Sequence, residues 1–472
     1  MKVPKKQNSS ATTAISMVVA SMVGTGIFTS LGFQLEALPS PYITLAIWVL
    51  GAFIAFCGAS TYAELVEQYP RSGGEYHYMK HMFGDRAGFL TGFITIVAGF
   101  AAPIAASSYA FAKYSLSFLA LDLSTQPQLE KGITVAMASG LLLLFYTIHC
   151  RKNSWIPFIQ RTFVLFTLTL IGIFVFSLLI NTPPDNAALF TYGNSPSAIF
   201  TEFNTFFSSS SGSTSANTSF VLAFLMVFYS YSGWNAPVYI ADEFKGNTRQ
   251  IRKGLFWGTG LVGALYLLLN FTFLYSAPLK SLLAREDVAY AAASFSLGED
   301  AARFLSFVIS ACLMASTFCM MWTGSRVLKR MAEEHEFLRS FQYSNRHDQP
   351  SRALIGLITL SLIFLFSLSF NTIIMYVGYL LLLATLLCSI GLIWQNLRHK
   401  KGLRSFSPLT CLYIAVVSYV LSRSLLENPW LILICGGSLF LGFLIYEWNS
   451  PNGNWSNRMK VLFKRRRTSN AS

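Results

Sequence analysis

Two short runs of small and polar residues lie inside stretches that are otherwise apolar for long enough to cross a bilayer. The first is Ala20-Ser21-Met22-Val23-Gly24-Thr25-Gly26-Ile27-Phe28, and the second is Phe228-Tyr229-Ser230-Tyr231-Ser232-Gly233-Trp234-Asn235. A helix in lipid must satisfy its own backbone, so an interruption at that depth survives only where it lines a protein cavity. Unwinding at Gly24-Thr25-Gly26 would start a half-helix near Ile27, leaving its first N–H groups unpaired at the positive end of the dipole. Such an end attracts an anion, and the Thr25 hydroxyl beside it, just past Met22, is a further donor. Unwinding near Ser232-Gly233 would end the preceding half-helix and leave the carbonyls of about Tyr229, Ser230 and Tyr231 as acceptors for an ammonium group. Together the two ends would hold a zwitterion without a charged side chain, in keeping with the absence of any charged residue between Ser10 and Glu36. The competing reading is that these glycines only let helices approach closely.

These residues need a membrane-spanning frame, and the composition supplies one. The 472 residues are 53% hydrophobic and 12% charged, with mean hydropathy +0.49. A soluble domain is nearer a quarter charged. The predicted fold is all-α, with about twelve transmembrane spans at 12–35, 42–66, 87–112, 132–150, 157–180, 219–241, 254–277, 302–325, 352–370, 373–395, 405–422 and 429–447. With the N-terminus cytoplasmic, all but six of the 35 Lys and Arg fall on the inner side, the exceptions being Lys113, Lys131, Lys280, Arg285, Arg303 and Arg423. That asymmetry predicts both termini inside and an integral protein of the plasma (inner) membrane. It also accounts for the +14 charge without nucleic acid, the Lys464-Arg465-Arg466-Arg467 tail reading as a topology signal against anionic lipid. Met1–Ser10 is basic and polar and the apolar run behind it is too long for a signal core, so no cleaved leader is expected.

Enzyme chemistry finds little purchase. The seven cysteines lie in or at the ends of predicted spans, so neither a disulfide framework nor a metal site is expected, and no cofactor is called for. The six histidines all map to the inner side and read as solvated loop residues. Glu64 and Glu67, at the end of the second span, and Asp242 and Glu243, at the end of the sixth, read as inner-gate ion-pair partners for Arg71 or Arg326.

The predicted organisation is a cytoplasmic tail (1–11), five spans (12–181), a Ser-rich outer loop (182–218), five further spans (219–397), two last spans (398–447) and a basic tail (448–472). Five is odd, so the second set enters the membrane in the opposite sense to the first. An inverted 5+5 repeat follows from counting, and each repeat opens on one of the interrupted spans. Interruptions at corresponding positions of two halves point to the binding site of a secondary transporter. The outer stretch 278–301 reads as a short helix over a vestibule, and 67–86 as a turn leading into an amphipathic helix carrying Tyr76, Met79, Lys80 and Phe83.

Further motifs follow in order: Pro70-Arg71-Ser72-Gly73-Gly74-Glu75-Tyr76, Phe83-Gly84 with Gly88-Phe89, Pro103, Ile159-Gln160, Tyr231-Ser232-Gly233-Trp234 and Ser325-Arg326. With Gly24-Thr25-Gly26-Ile27-Phe28 before them, this ordered set resembles the amino acid–polyamine–organocation (APC) superfamily, close to its bacterial amino acid permeases and L-type amino acid transporters. The resemblance implies a five-plus-five fold with helices 1 and 6 broken, and amino acid transport by alternating access. It implies substrate contacts at Met22, Gly24, Thr25, Gly26, Ile27, Phe228, Tyr229, Ser230, Tyr231 and Gly233, with Tyr229 as the gating aromatic. Many relatives carry a lysine in span 5 where this chain has Thr167, and sodium-coupled relatives place hydroxyl ligands near Ser316 and Thr317. A cation site of Ser21, Thr167, Ser316 and Thr317 is therefore expected if sodium is co-transported; coupling to a proton, and exchange or facilitation with that site empty, are the alternatives. Relatives that take a glycoprotein partner use an outer cysteine between spans 3 and 4; this chain has none at 113–131, so no disulfide-linked partner is expected. A polyamine carrier and a non-transporting sensor of the same fold are the other readings.

Overall fold

The computed structural model describes residues 10–38, 40–119, 126–151, 155–181, 186–190, 214–285, 287–367, 370–398, 407–427 and 429–449. Most of the N-terminal tail, the Ser-rich loop and the basic C-terminal tail lie outside the described residues. Among the described residues there is no strand, only one isolated bridge between Ala187 and Pro278. So apolar a chain, folded where no water can pair its backbone, satisfies its N–H and C=O groups within each helix.

The first part of the chain forms α1 (Ala11–Met22), α2 (Thr25–Ala37), α3 (Pro41–Gln68), the short α4 (Glu75–Phe83), α5 (Asp85–Ile94), a π turn (Thr95–Ala101), α6 (Ala102–Phe118), α7 (Pro127–His149) and α8 (Trp155–Ile180). The second part forms α9 (Thr214–Tyr231), a 3-10 segment (Ala236–Phe244), α10 (Thr248–Ser276), α11 (Leu279–Leu282), α12 (Val288–Leu297), α13 (Glu299–Glu334), a further 3-10 turn (Glu336–Gln342), α14 (Ser351–Ser367), α15 (Phe370–Arg398), α16 (Pro408–Glu427) and α17 (Pro429–Asn449). Ser10 caps α1 by accepting from Thr13 N, and Ser40 with Pro41 opens α3. Among the described residues, nine helices are long and apolar enough to cross a membrane, α1 with α2 counting as one and α5 with the π turn and α6 as another.

Burial separates the centre of the bundle from its rim. The most apolar window is 89% buried in α1–α2 and 72% in α13, against 33% in each of α7, α8 and α16. The interrupted helix is therefore enclosed by protein, while the others turn Leu, Ile and Phe side chains outward. α13 lies along α6, and α1 lies along α10, which in turn packs on α3.

The π turn has a local cause. Pro103 has no N–H for the carbonyl four residues back, and the chain widens so that Ala102 N–H bonds to Val97 O, five back. At the end of the bundle opposite the Arg-rich segments, α11 and α12 occupy the stretch expected to cover a vestibule. They are seated on α2, where Ala284 N–H donates to Gly32 O at 3.0 Å.

Three expectations change. α4 is more deeply buried than a turn-and-helix at the inner rim suggests, because Glu75, Tyr76, His77, Tyr78, Met79 and Met82 are all buried while Phe83 is exposed. The histidines are not uniformly solvated: His149 is fully buried, its Nδ1 on Phe145 O at 2.8 Å and its ring against Phe318, and His77 is buried beside His81. Burial and the neighbouring His81 push His77 down to about 4. α13 runs 36 residues, past its expected end at 325, because its last turns carry Arg330 and Glu334 into ion pairs beyond the apolar zone.

Candidate functional site

The first break is shorter than the glycine pattern predicts. Only Val23 (ψ 84°) and Gly24 (φ −130°, ψ −151°) leave the helix, and α2 starts at Thr25 rather than near Ile27. Thr25 and Gly26 stay helical because their neighbours hold them there. A Cβ on Gly26 would lie 2.7 Å from the Ser230 Cα, so α2 and α9 touch backbone to backbone at this point. The first N–H groups of α2 receive no side-chain cap. Thr25 Oγ1 shares a 2.9 Å hydrogen bond with Tyr229 Oη, both buried, while Ile27 is packed into the core.

The second break has another construction. α9 ends at Tyr231, Gly233 takes φ +102°, and the chain continues as 3-10 turns kinked at Ile240. That φ favours glycine. A Cβ there would also lie 2.7 Å from Ser21 O, so the second break is seated on the end of α1. The carbonyls expected to be free are partly engaged. Tyr229 O accepts from Ser232 N–H at 3.1 Å and from Ser232 Oγ at 2.6 Å. Ser230 O accepts from Tyr266 Oη at 3.1 Å. Tyr266, on α10, also donates to Met22 O, so one buried hydroxyl joins the two breaks.

The second break, with Ser21 near the end of α1, adjoins a cavity of about 70 Å³, room for a few waters. Ser21 and Phe228 line it with the whole run Ser232–Ala236. The π turn and Pro103 contribute one wall through Gly99 and Phe100, and α15 and α16 contribute another through Leu381, Thr385 and Tyr413. No Asp, Glu, Lys, Arg or His is among its lining residues. Of the expected contacts, Phe228 and Gly233 reach this cavity. Tyr231 turns away to donate to Trp48 O at 3.2 Å, and Trp234 lines the wall and meets Tyr62 edge-on at 4.8 Å. The sequence reading missed Tyr266, Asn235 and Tyr239. Asn235 carried a signal, a polar residue directly after a predicted break. Tyr266 carried none.

The Pro70–Tyr76 motif docks the loop before α4 onto the far half of the second broken helix. Ser72 Oγ accepts from Asp242 N–H at 2.9 Å, and Gly73 N–H donates to Tyr239 O at 3.3 Å. Gly74 takes φ +55°, and a Cβ on it would strike the Tyr239 ring at 2.4 Å. Glu75 Oε1 accepts from Tyr62 Oη at 2.8 Å and from Asn235 Nδ2 at 2.6 Å, and the same amide donates to Tyr239 Oη at 3.0 Å. Burial pushes the Glu75 carboxyl above its usual range despite those hydrogen bonds. Of the four acids expected to pair with Arg71 or Arg326, only Glu243 does so, with Arg326 at 3.0 Å. Glu67 pairs with Arg252, Glu64 accepts from Asn396, and Asp242 meets Ser72 through its backbone, because the helix carrying each faces a different neighbour.

Of the four residues considered for a cation, two have hydrogen-bond partners of their own and two have none. Ser21 Oγ lies 3.3 Å from Cys319 Sγ, and Thr167 Oγ1 donates to Val164 O on its own helix at 3.1 Å. Ser316 and Thr317 have buried hydroxyls without partners, and Ser316 faces Gly24.

Comparison with known proteins identifies the frame. The amino acid permease family matches residues 10–458. The human "Large neutral amino acids transporter small subunit 2" is 25% identical over 431 residues, covering 90% of this chain and 76% of that protein. The mouse "Solute carrier family 7 member 12" is 28% identical, covering 93% and 91% respectively. The human "Asc-type amino acid transporter 1" is 24% identical, covering 92% and 80%. These relatives are membrane transporters and not enzymes. With the family match running over nearly the whole sequence, the chain belongs to the amino acid permease family and is an integral membrane protein.

Proposed function

We propose that this protein is a secondary carrier of zwitterionic amino acids that works by alternating access around the two broken helices. The carrying observation is that the second break, with Ser21 at the end of α1 seated against Gly233, adjoins a cavity lined without charge, while the first N–H groups of α2 nearby are uncapped. The N–H end of α2 would take the substrate carboxylate and the carbonyl end of α9 its α-ammonium group. A carrier of polyamines would need cavity carboxylates, and none is among the lining residues. In this reading Met22, Gly24, Thr25, Gly26, Ile27, Phe228, Tyr229, Ser230, Tyr231 and Gly233 surround the substrate, with Tyr229 as its cover. Twelve crossings, a 5+5 repeat and cytoplasmic termini in the plasma membrane complete the proposed architecture, on the distribution of Lys and Arg.

The test is counterflow in proteoliposomes with a panel of labelled amino acids. Exchange of neutral amino acids, and none of putrescine, supports the reading; no exchange of any amino acid overturns it. Replacing sodium with choline at fixed pH decides the co-transported ion. Lower substrate affinity in choline, lost again in Ser316→Ala/Thr317→Ala, points to sodium. Unchanged affinity points to a proton or to plain exchange.

A further inference from the structure

Glu75 is a buried acid that amino acid binding does not use. It is 2% exposed, and its Oε2 makes no hydrogen bond. The groups that meet or face it are neutral: Tyr62 from α3, Asn235 from the second break, Tyr239 from the 3-10 segment, Cys388 from α15, Tyr413 from α16 and Tyr78 from its own helix. Among the described residues no Lys, Arg or His pairs with it, whereas the nearby acids Glu67, Glu243 and Glu334 all have such partners. A carboxylate in that setting lacks the opposite charge that usually holds it ionised.

We propose that Glu75 is a proton-binding site that links pH to opening and closing of the carrier, neutral in the closed arrangement and ionised once water reaches it. The inference rests on the alternating-access reading above. Its route to the cavity is direct. Asn235 and Tyr239, the two groups that close the ring around Glu75, are themselves cavity-lining residues. The Ser72, Gly73 and Gly74 contacts clamp the start of α4 to the 3-10 segment. Moving that half of the broken helix parts the ring and admits water to the carboxyl. A charge is better hydrated than buried, so ionisation favours the open arrangement and protonation the closed one. Burial, which raises the proton affinity of Glu75, acts in the same sense. Because each state binds the proton differently, the proton shifts the conformational balance, and substrate occupancy in turn shifts proton affinity.

The decisive variant is Glu75→Gln, whose amide oxygen still accepts from Tyr62 and Asn235 and which imitates the protonated acid. In proteoliposomes clamped at equal pH on both sides, wild-type counterflow should change by about tenfold across a one-proton transition, and Glu75→Gln should be flat over that range. A Glu75→Gln profile that follows wild type overturns the proposal. Infrared difference spectra of the full-length protein between acid and alkaline buffer give a readout independent of transport. A protonated-carboxyl band present in wild type and missing from Glu75→Gln supports the site, and a spectrum unchanged by the substitution overturns it. If wild type exchanges no amino acid, the carrier reading fails while the infrared band still decides Glu75. Should Glu75→Gln not fold, Glu75→Asp keeps the acid on a shorter stem and should move the midpoint; an unmoved midpoint overturns the proposal.

Discussion

The two breaks carry similar sequence signals and are built differently. The first is two non-helical residues between α-helices, and neither Val23 nor Gly24 has a positive φ. The second depends on Gly233 at φ +102° and hands the chain to a 3-10 segment rather than a second α-helix. The first break therefore leaves α1 and α2 as two separate α-helices. The half after Gly233 is clamped to the Pro70–Tyr76 loop, to Glu75 and, through Glu243, to Arg326 on α13. Glycine thus means three things within these two runs: backbone sign at Gly233, close approach at Gly26, and little steric demand at Gly24.

Substitutions can break that comparison, and Gly233→Ala should have the largest effect. It adds a strained φ to a collision with Ser21 O, together ~3 kcal/mol or more. Counterflow should fall to background, with a clear drop in thermal unfolding temperature in detergent. Gly26→Ala comes next, since its Cβ meets the Ser230 backbone; overpacking of about 1–3 kcal/mol should lower transport at least severalfold. If Gly26→Ala equals Gly24→Ala in both assays, α2 and α9 are not in backbone contact.

Tyr266→Phe tests the tie between the breaks. It removes the one donor shared by Met22 O and Ser230 O, a loss of about 1–3 kcal/mol that thermal unfolding should register. Thr25→Val and Tyr229→Phe remove two ends of a single bond, so each should weaken substrate affinity by about 1 kcal/mol and the double variant by little more. Additive losses would show that the hydroxyls act separately on the substrate. Gly24→Ala is the mildest, below about 1 kcal/mol, because its Cβ would sit at ordinary contact, 3.4 Å from Ser316 Oγ. A loss as large as that of Gly233→Ala would mean the first break also needs a backbone only glycine provides.

Much of the frame was legible because lipid leaves few options. Apolar length marks helices, and small polar residues inside it mark where a helix stops. Gly24 and Gly233 were found in that way, while of four acids expected to pair with Arg71 or Arg326 only Glu243 does so, with Arg326. The extent of each break was not legible, since Thr25 and Gly26 stay helical only through contact with α9. Nor was the facing of Tyr231 and Trp234: three residues apart and both aromatic, they exchange roles because the chain turns at Gly233 between them. The motif Pro70–Tyr76 was visible as a turn, but its job was not, because Glu75 and its partner Asn235 are 160 residues apart.

By itself, then, the sequence determined an all-helical membrane protein interrupted at two places, through composition, apolar run length and the positions of Lys and Arg. Those are local properties, which lipid and water sort residue by residue. Tertiary structure alone decided that Tyr266 would join the two breaks, that Ser21 and Gly233 would touch, and that Glu75 would be buried without a counter-charge. Each of these depends on which helix faces which, and distant residues acquire a shared environment only once the helices have packed.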